Sequence, residues 1–191
     1  MIENVLKTAK FFCDRLHLNC YLSNAEDFIL NIGEDEKERI ISLEKFEEEF
    51  PWDNFEFAGC PEHERDQYED FLEYFSHKIG WKEISKINLS KKFIIRNKDN
   101  LDWITISRKE GLTEEDMEMF QDKIDWKLAS FNQKMSEEFI ERHSDKMDWT
   151  NISLTKKLSE KFINKHSDKL NLYYARMTNK ESFLKQIKSM Y

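Results

Sequence analysis

The sequence predicts a mainly α-helical protein, most of which is a solenoid of about four to five short helical repeats. The first observation is an internal repeat, because residues 124–146 and 147–169 are two copies of one 23-residue unit. The second is the composition, with 14% aromatic and 36% charged residues, which is typical of amphipathic helices with aromatic buried faces. The third is that the 191 residues include only 4 Gly and 2 Pro, fewer than sheets and their turns usually need.

The N-terminal segment 1–50 is predicted to form a small α+β part outside the repeats. Its first 19 residues indicate a helix, since their apolar side chains recur at helical spacing. Residues 28–32 and 39–43 are short apolar runs rich in β-branched side chains. The charged residues 33–38 between these runs favour a β-hairpin. A helix through residues 40–50 is the alternative, because apolar residues there also share a helical face.

Residues 51–78 are predicted to be an acidic, diverged first repeat. A phenylalanine precedes a tryptophan by ten residues here, as it does further along the chain. The pairs with this spacing are Phe71–Trp81, Phe93–Trp103 and Phe139–Trp149. The segment therefore shares the register of the array that follows it.

Residues 79–176 are predicted to be the repeat array itself. Tryptophans recur at intervals of 22 or 23 residues, and an isoleucine or alanine follows each by three residues. A regular column of this kind indicates the packed interior of the array. The predicted repeat core consists of Trp81, Trp103, Trp126, Trp149, Ile84, Ile106, Ile152, Phe93, Phe139 and Phe162.

Cap residues predict two helices in each unit. Asp102, Asp125 and Asp148 stand directly before a tryptophan and are expected to cap a short helix. Ser136, followed by two glutamates, is expected to begin a longer helix, because acidic side chains favour the positive helix start. Neither helix can bury its apolar stripe alone, so neighbouring units must stack. Residues 177–191 are predicted to form a helix that caps the array.

The best copy of the unit carries a three-part signature. It reads D-K-M-D-W from Asp145, W-T-N-I-S from Trp149 and L-S-E-K-F-I from Leu158. This pattern resembles the short helical repeats common in proteins of bacteriophages and giant viruses. The resemblance covers about residues 79–172. It implies the repeat architecture and a viral source, and it implies no particular activity.

Acidic residues concentrate in about one third of the chain. Residues 23–75 contain 18 Asp and Glu against 4 Lys and Arg, whereas the formal net charge of the whole chain is -8. Such a segment repels nucleic acid. It is either a solvated surface that confers solubility or a face that steers the protein towards a basic partner surface. The residues expected to form this acidic docking face are Glu34, Asp35, Glu36, Glu47, Glu48, Glu49, Glu62, Glu64, Asp66, Glu69 and Asp70.

Recognisable motifs for catalysis or cofactor binding are missing from the sequence. The 4 glycines are isolated, so no glycine-rich loop can cradle phosphate, and neither H-E-x-x-H nor C-x-x-C occurs. Residues 60–63 form a single C-x-x-H, which is short of the four ligands of a structural zinc site. We therefore expect no catalytic residue, no metal and no cofactor. An enzyme or metal-binding protein with a site in the N-terminal part is the alternative, with Cys13, His17, Cys20 and His63 as its candidate residues.

The chain is expected to act by binding another protein. It contains no 18-residue apolar run, its charged N-terminus does not resemble a secretory signal, and its 3 cysteines suit a reducing cytoplasm. With the viral resemblance, the acidic face predicts an inhibitor of a host protein with a basic surface, for example a CRISPR or other nucleic-acid-binding defence effector. The protein would act in the host cytoplasm without binding nucleic acid or membranes directly. A structural repeat scaffold is the second alternative.

Overall fold

The computed structural model describes residues 2–15, 46–48, 50, 52 and 65–179. All elements of regular secondary structure within those ranges are helices, and short helices recur at regular spacing, which confirms the prediction of a mainly helical repeat protein. The chain divides into two compact units, Met1–Leu101 (unit 1) and Asp102–Tyr191 (unit 2). Their boundary lies inside the segment 79–176, for which the sequence predicts one array. The predicted β-hairpin over residues 28–43 lies outside the described residues.

The described part of unit 1 contains helices of unequal length. They are α1 (Ile2–Arg15), α2 (Arg65–Tyr74), α3 (Ser76–Ile79), α4 (Trp81–Ser85) and α5 (Lys91–Asn97). α1 packs against α2 and buries Val5, Leu6 and Ala9. Gly80 separates α3 from α4 and has a φ of 84°, a backbone conformation that favours glycine because it has no Cβ.

The described core of unit 1 contains a cluster of aromatic rings. The Phe46 ring lies 5.4 Å from that of Phe75 and 6.0 Å from that of Phe71, measured between centroids. Trp52 lies 5.1 Å from Phe75, and its Nε1 donates to the Glu47 carbonyl at 2.9 Å. Ring pairs at such distances contribute about 0.5–1.5 kcal/mol each beyond their burial. They hold the segment with Phe46 and Trp52 against α2.

Two kinds of helix alternate in the described part of unit 2. The helices are α6 (Trp103–Arg108), α7 (Glu114–Met119), α8 (Trp126–Asn132), α9 (Glu137–Arg142), α10 (Trp149–Thr155), α11 (Glu160–Lys165) and α12 (Leu172–Thr178). We call α6, α8, α10 and α12 the anchor helices, since each begins at a tryptophan or at Leu172 in its place. α7, α9 and α11 are the connecting helices. The anchor helices pack side by side in chain order.

Side-chain caps begin both kinds of helix at the predicted places except at α6, where the Asp102 side chain makes no cap hydrogen bond and accepts one from the Thr105 hydroxyl instead. Asp148 accepts a hydrogen bond from the Asn151 N–H at 2.9 Å and caps α10. Ser136 accepts one from the Phe139 N–H at 3.1 Å and caps α9. The equivalent caps of α8, α11 and α12 are Asp125, Ser159 and Asn171. Each bond satisfies a backbone N–H that lacks a partner inside its helix, and such a cap contributes about 1 kcal/mol.

The copy that begins at Trp103 is less regular than the others. Asp116 stands where the other copies have phenylalanine, and it forms a reciprocal capping box with Thr113. The Thr113 hydroxyl accepts the Asp116 N–H at 3.1 Å, and the Asp116 carboxylate accepts the Thr113 N–H at 3.1 Å. α7 therefore has a capping box where the other connecting helices have a buried phenylalanine. The buried Met117 contributes to the core at α7.

Buried serines tie each anchor helix to the next. The Ser130 hydroxyl donates to the Trp126 carbonyl at 2.7 Å and accepts the Asp148 N–H of the next repeat at 3.0 Å. Ser153 makes the equivalent pair of bonds one repeat later, at 2.6 and 2.9 Å. A hydroxyl can donate and accept at the same time, which explains why serine recurs four residues after the anchor.

The last anchor helix overlaps the predicted capping helix. Met177, where the sequence predicts that the capping helix begins, lies inside α12. α12 forms because Asn171 replaces the capping aspartate, and its side chain accepts the Tyr174 N–H at 3.3 Å. The remainder of the predicted capping helix, residues 180–191, lies outside the described residues.

Candidate functional site

Contacts within unit 1 occupy part of the predicted acidic docking face. The Glu47 carboxylate shares a hydrogen bond with His77 Nε2 at 2.9 Å and lies 3.1 Å from Lys78 Nζ. The hydrogen bond with His77, together with Lys78, holds the pKa of Glu47 below its ordinary value. Glu48, the next residue, is exposed to solvent. Glu47 is thus already paired with cations, whereas Glu48 remains accessible.

Glu69, which the sequence places on the acidic face, is an interior residue. It is only 4% exposed, and its carboxylate accepts the Ser90 N–H at 2.5 Å and the Ser90 hydroxyl at 2.6 Å. Asp70 accepts a hydrogen bond from the Asn4 amide at 2.9 Å and lies 3.6 Å from an Arg96 nitrogen. The Glu69 carboxylate can be buried because it accepts hydrogen bonds at the N-terminus of α5, where the helix dipole favours negative charge. The prediction that Glu69 faces a partner is therefore wrong.

The other members of the predicted acidic face lie outside the described residues. They are Glu34, Asp35, Glu36, Glu49, Glu62 and Glu64, together with the side chain of Asp66, whose backbone belongs to α2. The residues of the alternative enzyme or zinc site also lie outside the described part of the chain. They are the Cys13 side chain, His17, Cys20, Cys60 and His63. Among the residues that are described, no group of three or more His, Cys, Asp or Glu side chains could hold a metal ion.

A cavity of about 150 Å³ lies in unit 1. It is lined by Asn4, Glu69, Asp70, Lys92, Phe93 and Arg96. Arg96 lies 2.5 Å from the Glu73 carboxylate, and the Glu69 carboxylate is committed to Ser90. Acidic and basic groups of the wall therefore compensate each other, and the cavity has no surplus of charge that would select a ligand.

The four tryptophans of the predicted repeat core, Trp81, Trp103, Trp126 and Trp149, are not equally buried. Trp103 is buried, whereas the other three keep part of their rings in solvent. At Trp149, the His166 ring lies 5.2 Å away and Lys169 Nζ lies 5.1 Å from the ring centroid. The Trp149 Nε1 donates to the Ser144 carbonyl at 3.0 Å, so one edge of the ring is fixed to the backbone five residues earlier in the chain. The remaining predicted core residues are buried, namely Ile84, Ile106, Ile152, Phe93, Phe139 and Phe162.

The equivalent histidines His143 and His166 belong to these aromatic stacks. The His143 ring lies 4.6 Å from that of Phe139 and 5.4 Å from that of Trp126. Its Nε2 is 3.6 Å from the Glu118 carboxylate of the preceding repeat, beyond ordinary hydrogen-bond distance. Packing against two aromatic rings accounts for a histidine in this position.

A column of buried polar side chains, which the sequence reading missed, fills the turns between repeats. It lies seven residues after Trp126, Trp149 and Leu172 and consists of Gln133, Lys156 and Asn179. Lys156 Nζ donates to the carbonyls of Phe131 and Gln133 at 3.1 and 2.6 Å. Asn179 accepts the Leu158 N–H at 2.9 Å. Each side chain thereby satisfies backbone groups of the preceding repeat, where the chain leaves its anchor helix.

Lys156 differs from Gln133 and Asn179 in this column because its buried side chain can carry a charge. Burial lowers its pKa from 10.5 to about 8, and the smaller effect of Glu110 opposes the shift. The unfolded chain would hold the proton up to about pH 10.5, so between about pH 8 and that value only the unfolded state is protonated. The free energy of unfolding therefore rises with pH in this window. Below about pH 8 the cost of the buried charge is present in full.

Replacing Lys156 by Gln, the residue at this position one repeat earlier, should remove the pH dependence. Relative to Lys156→Gln, the wild type should gain about 2 kcal/mol in free energy of unfolding between about pH 7 and about pH 10. Urea unfolding followed by circular dichroism at each pH measures this gain. The control is Lys157→Gln, an exposed neighbour, which should follow the wild type. A constant difference between wild type and Lys156→Gln over this range would contradict the lowered pKa.

The solvent-facing side of the anchor helices carries a row of large apolar side chains. Phe131, Leu154 and Met177 lie five residues after successive anchors and are 48%, 39% and 55% exposed. We call these three residues the apolar stripe. Ile104 and Tyr173 lie one residue after their anchors, one helical turn before the stripe position, and are exposed as well. Single exposed apolar residues are ordinary, but one position repeated in three stacked helices forms a patch.

The charge of the anchor helices is opposite to that of the connecting helices. The four anchor helices contain Arg108, Lys127 and Arg176, all exposed, and neither Asp nor Glu. The three connecting helices contain 8 acidic and 3 basic residues. The anchor helices themselves are therefore basic, whereas the connecting helices are acidic.

Comparison with known proteins leaves the site to be interpreted from its own geometry. No protein-family model, no curated protein and no solved structure matches this chain. In the part of the chain that the structure describes, no helix has the length and apolar character needed to cross a membrane.

Proposed function

We propose that this protein is a non-catalytic protein-binding module, which docks a partner on the solvent-facing side of its anchor helices. The apolar stripe is the observation that carries the proposal. Covering three half-exposed side chains of this size contributes roughly 3 kcal/mol, which corresponds to about a hundredfold in affinity. Repeat arrays commonly present such extended surfaces to partners, because their interiors are used for stacking.

Folding alone does not account for the apolar stripe. The anchor helices contact each other through buried side chains such as Ala129 and Ile152 and through the buried serines. α6 carries Arg108 at the stripe position, so a charged side chain is compatible with an anchor helix there. Large apolar residues at this position in the next three anchor helices therefore need a reason other than the fold.

The basic charge of the anchor helices favours an acidic partner over the basic partner expected from the sequence. Arg108 at the stripe position and Lys127 on the same face of α8 would lie beside the docked chain and attract it. The alternative is an inhibitor that binds a basic protein surface, such as that of a nucleic-acid-binding defence protein, through the acidic segment. Glu48 supports this alternative within the described residues, while Glu47 and Glu69 are engaged inside unit 1.

Selection from a random-peptide display library on the full chain tests the proposal without knowledge of the natural partner. Peptides that bind should lose at least tenfold in affinity for the triple variant Phe131→Ser, Leu154→Ser, Met177→Ser. This loss is expected because the three positions are exposed, so the substitutions remove contact area and leave the fold intact.

The control is the double variant Ile95→Ser, Met119→Ser, which removes exposed apolar side chains outside the anchor helices. It should bind the selected peptides as the wild type does, and both variants should keep the helical circular dichroism of the wild type. Binders that are insensitive to the triple variant, or a library without binders, would contradict the proposal.

A further inference from the structure

We infer that the occupant of the apolar stripe is an amphipathic α-helix with an acidic flank, contributed by a partner protein. The inference rests on the proposed function and adds the chemistry of the partner. It depends on two features of unit 2, the spacing between successive stripe residues and the charge of the side chains beside them.

The spacing favours a helix over an extended chain. Anchor helices α8, α10 and α12 pack directly side by side, and packed helices lie about 8–10 Å apart. Stripe residues from adjacent repeats are therefore separated by about that distance. A partner helix advances about 10.5 Å in seven residues, and two turns bring the seventh residue back to the same face. One apolar residue every two turns would then meet each member of the stripe in succession.

An extended partner does not match the stripe in the same way. Three residues of a strand cover about 10 Å, but successive side chains alternate between the two faces. The third residue along therefore points away from the surface that the first one contacts. Steps of two or four residues keep the face, but they span about 7 or 13 Å and fall out of register with the repeats.

The charges beside the stripe specify an acidic flank. Lys127 lies four residues before Phe131 on the same face of α8. Arg176 is exposed but lies about 100° around α12 from Met177, at the position that serine occupies in α8 and α10. Arg108 takes the stripe position itself in α6. A helix with Glu or Asp next to its apolar row would meet positive charge on the stripe face of α6 and α8. A basic helix would meet repulsion there and would be drawn instead to the acidic connecting helices.

The test uses a synthetic helical peptide of about 18 residues, which spans about 27 Å and so reaches all three stripe residues. Its leucines stand seven residues apart, glutamates flank them, and alanine and glutamine fill the remaining positions. Fluorescence anisotropy with the full chain at low salt should show binding. The triple variant Phe131→Ser, Leu154→Ser, Met177→Ser should weaken this binding at least tenfold, whereas Ile95→Ser, Met119→Ser should not change it.

Two control peptides separate spacing from charge. A peptide of the same composition with leucines five residues apart spreads them around the helix, and it should bind at least tenfold more weakly. A peptide with lysine in place of glutamate should also bind at least tenfold more weakly. The variant Arg108→Glu, Lys127→Glu, Arg176→Glu should reverse this preference between the glutamate and lysine peptides.

The possible outcomes distinguish this inference from the proposed function. If library peptides bind through the stripe while the helical peptide is no better than its controls, the inference fails and the proposed function stands. If neither kind of peptide is sensitive to the triple variant, the proposed function fails and the inference fails with it. A dimer of the free chain in sedimentation that the triple variant abolishes would also overturn the inference, since a second copy would then cover the stripe.

Discussion

Replacing Gln133 by Leu should lower the free energy of unfolding by about 3–5 kcal/mol, although the two side chains are similar in size. Gln133 is 1% exposed, and its amide uses its full bonding capacity on the preceding repeat. Nε2 donates to the carbonyls of Ser107 and Lys109 at 2.9 and 2.6 Å. Oε1 accepts the N–H groups of Gly111 and Leu112 at 3.2 and 3.0 Å.

The cost follows from what leucine would leave behind. Four backbone groups would lose their partner at once, and each unsatisfied buried group costs about 1–3 kcal/mol unless water reaches it. Gly111 is exposed and would recover part of this loss through hydration. The turn cannot rearrange freely, because Gly111 already has a φ of 125°, a conformation that other residues rarely adopt.

Urea unfolding of Gln133→Leu at neutral pH measures the loss. The matched control is Asn132→Leu, since the adjacent Asn132 amide bonds only within its own helix, to the Leu128 carbonyl at 2.9 Å. That variant should lose about 1 kcal/mol or less. Gln133→Lys should fall between the two, because an amine, as at Lys156, donates to carbonyls but cannot accept from N–H groups. Equal losses in Gln133→Leu and Asn132→Leu would refute the role assigned to the buried amide.

The repeat period explains why so much of the fold could be predicted. Cap residues such as Ser136 and Asp148 act through local backbone geometry, so their spacing alone locates the helix starts. The irregular copy at Trp103 follows the same rule, since Thr113 and Asp116 are three residues apart and close a capping box. Local chemistry of this kind is readable from a sequence without knowledge of the tertiary contacts.

The partly exposed tryptophans show what the repeat period alone cannot predict. A column that recurs every 23 residues indicates a shared environment, but it does not reveal whether that environment is the interior or the surface. Trp126 and Trp149 are regular because each stacks on a histidine and binds a carbonyl through Nε1. Phe131 and Leu154 recur with the same period on the solvent side. Helical phase distinguishes a buried column from an exposed one. The buried serine stands one residue before the stripe residue, which is a rotation of about 100° around the helix.

Non-local contacts account for the other differences between sequence and structure. Glu69 belongs to an acidic segment, and its burial depends on Ser90, which is 21 residues away. Gln133 and Lys156 serve turns that lie 21–26 residues earlier in the chain. In each case the side chain's partner is a backbone group or cap that becomes a neighbour only when repeats stack. The acidic composition of its segment therefore predicts Glu69 on the surface. No local pattern in the sequence indicates that Gln133 and Lys156 are buried.

Replacing Phe139 by Ala should lower the free energy of unfolding by about 3–5 kcal/mol and loosen the middle of unit 2. Phe139 is fully buried in α9, and its ring lies 4.6 Å from that of His143 and 6.3 Å from that of Trp126. Alanine would leave a cavity at the centre of this stack. Each repeat contacts its neighbours, so a weakened central repeat reduces the coupling between the repeats on either side.

Hydrogen exchange with residue resolution, together with urea unfolding, measures both effects. Amides of α8 and α9 should exchange faster in Phe139→Ala by a larger factor than amides of α12, because the cavity is local to the central repeat. The control is Phe131→Ala, which truncates the same residue type eight positions earlier in the same repeat, where the side chain is half exposed. It should change the free energy of unfolding by less than about 1 kcal/mol.

The pair of variants separates folding from recognition within one repeat. Phe139→Ala should lose stability because its ring fills the core, whereas Phe131→Ala should keep stability and lose affinity for a stripe-binding peptide. Both residues are phenylalanines of one repeat, so residue type cannot explain a difference between them. If Phe131→Ala destabilises the chain as much as Phe139→Ala, the stripe is part of the folded core and the binding role assigned to it is wrong. If Phe131→Ala only weakens peptide binding, its exposed ring serves a partner.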